Sequence, residues 1–313
     1  MRHSVGPLLR RVTLCAFSLA VVAAPGGPAL AVPSPPAAEA PSIEFAQRYH
    51  ALQRGGITRA ANTSHDYDMS YVDVDRDSNT YNSSRGEVRL PKGSRVSYAR
   101  LYWGDNLRVG EQKPAEDNGM ALIAEPGGSY QDVRADTLVG HRAADEVDAF
   151  QASADVTPLV RAGGEGLYTV AQVNAARGHF GADSFDARRR GHVLRLSGAP
   201  VPARASGDVG MVTYNGDRGM TGDTLTVSSG GSRPQRLSDA ANPADDVLNS
   251  TISEPGRQIA RKPAYTNTLG YDSDIFRLDR SLKADREGLL IRLASQRESA
   301  WAGVLFTAVD AKR

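Results

Sequence analysis

Along most of the chain, apolar and polar residues alternate in short runs instead of recurring at helical spacing. Clear examples are residues 87–90, 96–103 and 167–173, which are bounded by glycine, proline, asparagine or aspartate. Alternation with a period of two predicts strands with one buried face, and the bounding residues predict turns. The pattern contains no βαβ alternation and no internal repeat. We therefore expect an all-β protein, an antiparallel β-sandwich or jelly roll with minor helical pieces.

Two parts of the pattern refine this expectation. Residues 156–160 mix small and apolar side chains around Pro158, which favours a helical turn. Near the end, the apolar runs 289–294 and 301–309 are both typical of buried strands, and their closeness in sequence predicts a closing hairpin. We expect residues 61–313 to form a single β-sandwich domain.

The first sixty residues do not follow the strand pattern. A basic start, an apolar run at 12–24 that is too short to span a bilayer, and an Ala-Leu-Ala cleavage site ending at Ala31 predict a signal peptide at 1–31. Residues 32–60 begin rich in proline and alanine. Their apolar residues between 43 and 52 favour either a short helix or a flexible leader.

Charge and cysteine content bound the function further. The chain has 37 basic and 36 acidic residues, and removal of residues 1–31 leaves 34 against 36. No basic field remains to attract nucleic acid. Cys15, the only cysteine, lies in the apolar run of the signal, so the mature chain would have no disulfide and no thiolate metal site. We expect a secreted, extracellular protein with no transmembrane anchor.

The stretch richest in potential metal-ligating side chains is an acidic loop, residues 73–79. Asp73, Asp75, Asp77 and Asn79 place oxygen ligands at alternate positions, as the first part of an EF-hand loop does. Ser78 occupies the position where glycine is expected, and Ser84 the position of the bidentate glutamate, so the loop is not an EF-hand. Two interpretations stay open: a looser Ca²⁺ site, which makes Ca²⁺ the one candidate cofactor, or a solvated turn that leads into a strand.

Other oxygen-rich clusters follow later in the chain, and each is more typical of a turn than of a metal site. They comprise Asn215, Asp217 and Asp223; Asp245, Asp246 and Asn249; and Asn267, Asp272 and Asp274. Two of these clusters could combine in space, but the spacing does not say which.

Three residues near the acidic loop are candidates for ligand contact. Tyr98 and Tyr102 share one face of a predicted strand and could stack on a sugar ring, whereas Trp103 points the other way. Asp105 lies two residues after Trp103 and is the acid in the most apolar strand context. Buried packing is the competing interpretation for all of these aromatic residues.

Motifs for catalysis are missing from the sequence. It has no G-x-S-x-G elbow, no H-E-x-x-H zinc motif and no phosphate-binding loop in a strand–helix context. The histidines of the mature region are scattered, without metal-ligand spacing. A pair of carboxylates that meet only in the fold stays open as a route to glycoside hydrolysis.

The segment from Asp73 to Gly104 also carries a family resemblance. It contains, in order, an Asp-x-Asp-x-Asp run, Tyr81-Asn82-Ser83-Ser84, Leu90-Pro91-Lys92-Gly93 and Leu101-Tyr102-Trp103-Gly104. In this it resembles uncharacterised secreted, surface-type proteins of actinobacteria and other Gram-positive bacteria, in which such a segment often precedes Ig-like repeats. Later pieces, including residues 168–173, are similar in the same order. The resemblance implies an extracellular β-sandwich and supplies no catalytic residues.

One stretch departs from that family. Residues 176–205 are rich in arginine, glycine and proline, where such proteins continue with a strongly apolar strand. Our hypothesis is that a deletion or a disturbance of the reading frame produced this atypical segment. The missing strand would leave a sheet edge unpaired.

Together the sequence predicts a secreted, non-enzymatic, surface-type protein with an adhesive, structural or ligand-binding role. Calcium would add stability, and the partner would be a cell-envelope or extracellular ligand. The alternative is a carbohydrate-binding module or a glycoside hydrolase. A groove lined by exposed aromatics with two carboxylates about 5–10 Å apart would favour that alternative.

Overall fold

Strands dominate the computed structural model, which confirms the all-β class. The structure describes residues 46–107, 113–143, 147–177, 192–197, 200–280, 282–296 and 301–310. The expected signal peptide and residues 178–191 of the atypical segment lie outside these ranges. In the described part, the helical pieces are α1 (Thr157–Gly163), where a helical turn is predicted, and a 3-10 turn at Ala115–Gly119.

Two sheets from the first half of the chain make up what we call the first sandwich. One sheet has the order β13 (Arg261–Lys262), β1 (Ser83–Val88), β7 (Gly166–Ala171), β3 (Met120–Ala124) and β4 (Gln131–Arg134). The other has the order β2 (Arg100–Asn106), β6 (Val147–Asp155) and β5 (Thr137–Ala143). All neighbours are antiparallel. The core between them includes Trp103, Ile123, Phe150 and Tyr168.

Two further sheets form the second sandwich. One has the order β11 (Gln235–Leu237), β10 (Thr224–Ser228), β15 (Leu289–Ala294) and β8 (His192–Leu196). The other has the order β12 (Ile252–Ser253), β14 (Tyr271–Arg277), β9 (Gly207–Tyr214) and β16 (Trp301–Val309). Only the short β12–β14 pair is parallel among these described pairs. Met211, Leu225, Phe276 and Ile291 fill this second core.

This arrangement differs from the single pair of sheets expected over residues 61–313. All described residues belong to one compact unit, but its strands enclose two separate hydrophobic clusters. The closing hairpin is also wrong, because β15 pairs with β10 and β8 whereas β16 pairs with β9 in the opposite sheet. Both strands are apolar enough for either sheet, so their closeness in sequence does not decide which neighbour each one takes.

The described part of the leader, residues 46–60, has no helix, so the short-helix expectation is wrong there. The apolar residues instead make single contacts with the first sandwich. The Tyr49 ring stacks on Tyr98 with centroids 4.6 Å apart and planes 2° apart, and Gln53 donates to the Ser97 hydroxyl at 2.8 Å. Isolated helices this short are marginal in water, so these contacts prevail. We call residues 46–65 the arm.

The end of the arm binds both sandwiches. Asn62 Nδ2 donates to the carbonyl of Arg85 on β1 and to the carbonyl of Pro263, each at 3.0 Å. Arg59 Nη2 donates to the Ser253 carbonyl of β12 at 2.7 Å. The arm is therefore a connector between the two halves. Within the described ranges, no helix is long and apolar enough to cross a lipid bilayer.

Candidate functional site

A cleft of about 4130 Å³ opens between the two sandwiches. Its lining includes residues of the sheets that contain β6 and β9, together with some residues of the two cores. The two sheets touch where Gln151 accepts a hydrogen bond from the Tyr214 hydroxyl at 3.1 Å and donates to the Gly303 carbonyl at 3.2 Å. Small-molecule pockets usually hold about 300–1,000 Å³. The inter-sandwich cleft is therefore large enough for an extended ligand.

Strand alternation decides which face of the first sandwich each side chain of β2 occupies. Trp103 of β2 points into the core, where it is 5% exposed and its Nε1 donates to the Asn118 carbonyl at 2.9 Å. Its neighbour Tyr102 consequently lies on the opposite face and lines the cleft, as the sequence predicts. Burial raises the pKa of Tyr102, and the Arg100 guanidinium carbon lies 5.8 Å from its ring centre.

The second sandwich supplies an apolar wall. Phe306 of β16 lies directly over Gly210 of β9, where an added Cβ would come within 2.0 Å of the Phe306 ring. Glycine at this position therefore allows the ring to lie flat on the sheet. Val212, Val304 and Ile275 line the cleft as well. The two walls thus differ, one polar and tyrosine-bearing, the other aliphatic and aromatic.

Asp105 lies at the edge of this cleft with a side chain 15% exposed. Its Oδ2 is 3.5 Å from His65 Nδ1, and its Oδ1 accepts from the backbone N–H of Asn106 at 2.6 Å. Burial raises the pKa of Asp105 to about 7, against only a small opposing effect of that backbone hydrogen bond. Near neutral pH its carboxyl can therefore either donate or accept a proton.

The neighbouring Ser64 does not complete a nucleophilic relay. Its hydroxyl oxygen lies 3.2 Å from His65 Nδ1, the same ring nitrogen that faces Asp105. A serine–histidine–aspartate relay needs the serine and the acid on opposite ring nitrogens. The arrangement can hold and orient the imidazole, but it does not form that relay.

Tyr98, the third predicted ligand residue, also borders the cleft, but the arm covers it. Its ring is half-buried under Tyr49 in the parallel stack described above. The structure therefore brings Tyr98, Tyr102 and Asp105 to one cavity, where the arm contacts Tyr98 through Tyr49 and Asp105 through His65.

The acidic loop forms a hydrogen-bond network of its own. Asp75 Oδ1 accepts from the Ser83 hydroxyl at 2.9 Å and from the Asp77 N–H at 3.2 Å, and Oδ2 accepts from the hydroxyls of Thr80 and Tyr130. Burial would raise the pKa of Asp75, but the Tyr130 hydroxyl and the Asp77 N–H more than offset this and lower it to about 2. The carboxylate is thus held ionised by donors from the protein.

The other three predicted metal ligands take part in local turns. Asp73 Oδ1 accepts from the Arg76 N–H at 2.8 Å, and Asp77 Oδ1 accepts from the Asn79 N–H at 2.9 Å. In the part of the chain that the structure describes, no three His, Cys, Asp or Glu side chains converge to hold a metal. These turns are what the solvated-turn interpretation expects, and Ca²⁺ at this loop stays a prediction.

The later oxygen-rich clusters do meet in space. Asp272 Oδ1 accepts from the Thr251 N–H at 3.0 Å, and Asp246 Oδ2 accepts from the Gly219 N–H at 3.0 Å. Asp274 Oδ1 accepts from the backbone N–H of Ser253 at 2.9 Å. These buried carboxylates fix three loops at one end of the second sandwich.

Arg59 is a residue that the sequence pattern does not single out. Burial raises the pKa of Asp274 to about 7. The attraction of the buried Arg59 guanidinium for the Asp274 carboxylate opposes this effect and offsets only part of it. Gln151 and Tyr214 were missed in the same way, because glutamine and tyrosine in strands carry no signal of a contact between sandwiches. Gln151 directly follows the buried Phe150 in a strand, so its side chain lies on the opposite face of the sheet. This alternation is the one signal that could have placed it on the cleft side.

Comparison with known proteins adds no relative. No protein-family model matches the chain, and neither the curated proteins nor the solved structures contain a match.

Proposed function

We propose that the protein is a secreted, non-enzymatic, surface-type binding protein that holds an extended ligand in the inter-sandwich cleft. The observation that carries this proposal is the cleft itself, with its volume of about 4130 Å³ and its two contrasting walls. Cavities with an apolar surface and a few convergent polar groups are the usual places for ligands. Secretion and surface location follow from the predicted signal peptide and from the resemblance to actinobacterial surface proteins.

Binding to isolated cell-envelope fractions and to arrays of glycans and peptides tests this proposal. The Tyr102→Ala variant should weaken binding to any ligand found by about tenfold, a loss of ~1.4 kcal/mol. Tyr67→Ala is the matched control, since Tyr67 is an exposed tyrosine that packs on Tyr265 away from the cleft lining. Equal loss in both variants would contradict a role for the cleft.

Carbohydrate binding or hydrolysis is the second candidate, favoured by the raised pKa of Asp105, which lines the same cleft as Tyr102. An aromatic ring and a carboxyl that is protonated near pH 7 are components of glycosidase sites, which also need a second carboxylate about 5–10 Å away. Glycan-array binding with turnover that disappears in Asp105→Asn would establish this candidate. Binding without turnover would leave a binding module.

A further inference from the structure

The last strand, β16, forms one edge of its sheet and borders the cleft. Among the described strands its only ladder partner is β9, so its other side has no strand beside it. Trp301–Val309 spans nine residues, or about 30 Å of extended backbone. Residues 302–309 all line the cleft. The free edge of β16 therefore opens into the proposed binding cavity.

The pairing register shows which backbone groups face outward. The N–H of Asp310 donates to the Ser206 carbonyl at 2.9 Å, and Val309 lies opposite Gly207. In an antiparallel ladder, residues alternate between bonding to the partner and pointing away from it. Leu305, Thr307 and Val309 consequently direct their N–H and C=O groups away from β9. The Gly303 carbonyl, which accepts from Gln151, fits the same alternation.

The composition of β16 differs from that of three other edge strands. From Trp301 to Val309 it carries no charge, whereas β4 has Asp132 and Arg134, β5 has Arg142, and β8 has Arg195. Proteins commonly place charged residues on an exposed edge strand, which prevents strands of other molecules from pairing with it. The described β16 lacks that protection along an edge that borders the cleft.

We propose that an extended, uncharged polypeptide segment of another protein binds in the cleft as an added strand on β16. Its backbone pairs with the outward groups of Leu305, Thr307 and Val309, as in β-strand addition. This inference rests on the proposed function, and it names the ligand class.

The test uses an array of acetylated, amidated hexapeptides made of valine, threonine, serine and alanine. At least one peptide should bind the full chain, and Thr307→Pro should weaken that binding by about tenfold or more, ~1.4 kcal/mol. Proline removes an N–H that no ladder bond uses. Thr307→Val, the matched control, keeps that N–H and should bind within about twofold of the unchanged protein.

A chemical control covers the case in which Thr307→Pro does not fold. The best peptide is N-methylated at alternate residues, once in each of the two registers, which removes donors and keeps every side chain. One register should lose binding and the other should keep it. Equal binding of both registers, or unchanged binding by a folded Thr307→Pro variant, overturns the proposal.

Two further outcomes separate this inference from the proposed function. Glycan binding that depends on Tyr102, with no peptide bound, overturns strand addition and leaves the cleft as a binding site. A concentration-dependent dimer that Thr307→Pro abolishes would assign the β16 edge to a second copy and would also overturn the proposal. Absence of any ligand that depends on Tyr102 overturns both.

Discussion

Replacing Asp105 by asparagine removes the titration of the half-buried carboxyl beside His65 while keeping its size. Burial raises the pKa of this group from 3.8 to about 7. Because the unfolded chain gives up its proton near 3.8 and the folded chain keeps it to about 7, the folded state binds more protons between these values. The contribution of Asp105 to the stability of the wild-type protein must therefore fall as pH rises through this window.

The magnitude follows from the size of the shift. Each pKa unit corresponds to about 1.36 kcal/mol, so this group should cost about 4 kcal/mol of stability between pH 4 and pH 8. The Asp105→Asn variant has no ionisable group at this position, so it does not lose this stability as pH rises. Relative to the wild-type protein, its free energy of unfolding should therefore rise by about that amount across the window. Any positive charge on His65, 3.5 Å away, would reduce the difference.

Urea denaturation of both proteins at several pH values between 4 and 8 measures this difference, and all groups common to the two proteins cancel. Asp136→Asn is the control, because the hydrogen bonds from Arg100 lower the pKa of Asp136. Its contribution is lost only below about pH 4, so the difference between the wild-type protein and Asp136→Asn should stay constant between pH 4 and pH 8. A difference between the wild-type protein and Asp105→Asn that stays constant with pH would refute the account of Asp105.

Three other perturbations test separate parts of the structure. Tyr130→Phe removes a donor to Asp75 and should lower the free energy of unfolding at pH 7 by about 1–2 kcal/mol, a loss that urea denaturation should show fading as pH falls toward 2. Arg59→Met leaves the Asp274 carboxylate buried without its cation, and should cost about 3–5 kcal/mol at pH 8 and less at pH 5, where that carboxyl is protonated. A cost independent of pH would contradict this pairing. The calcium hypothesis predicts that Ca²⁺ at about 100 times its dissociation constant adds about 2.7 kcal/mol, and identical melting temperatures with Ca²⁺ and with chelator would exclude it.

Strand alternation made the local structure predictable from the sequence. The opposite facing of Tyr102 and Trp103, the helical turn after residue 156 and the strand at 167–171 all follow from periods that act over a few residues. Local patterns are set by local sterics and burial, so a single sequence is sufficient to show them.

Long-range pairing was not predictable in the same way. The sequence pattern of β15 and β16 suits a hairpin equally well, and only the complete set of neighbouring strands assigns them to opposite sheets. The cleft depends on how two separate cores pack, which no short motif encodes. Asp105 was accessible to sequence reasoning because an acid two residues after a tryptophan in an apolar strand is unusual. Its contact with His65 of the arm was not accessible in this way.

The short pairing of β13 with β1 has a consequence for how the chain acquires its structure. Arg261 and Lys262 complete the edge of a sheet whose other strands lie between residues 83 and 171, and Asn62 also contacts Pro263. When the chain is synthesised from its N-terminus, that edge stays uncovered until the chain extends to residue 263. Until then β1 offers an open edge to any passing strand. We infer that this sheet is completed late, after synthesis of most of the chain, and that a fragment ending near residue 177 would aggregate.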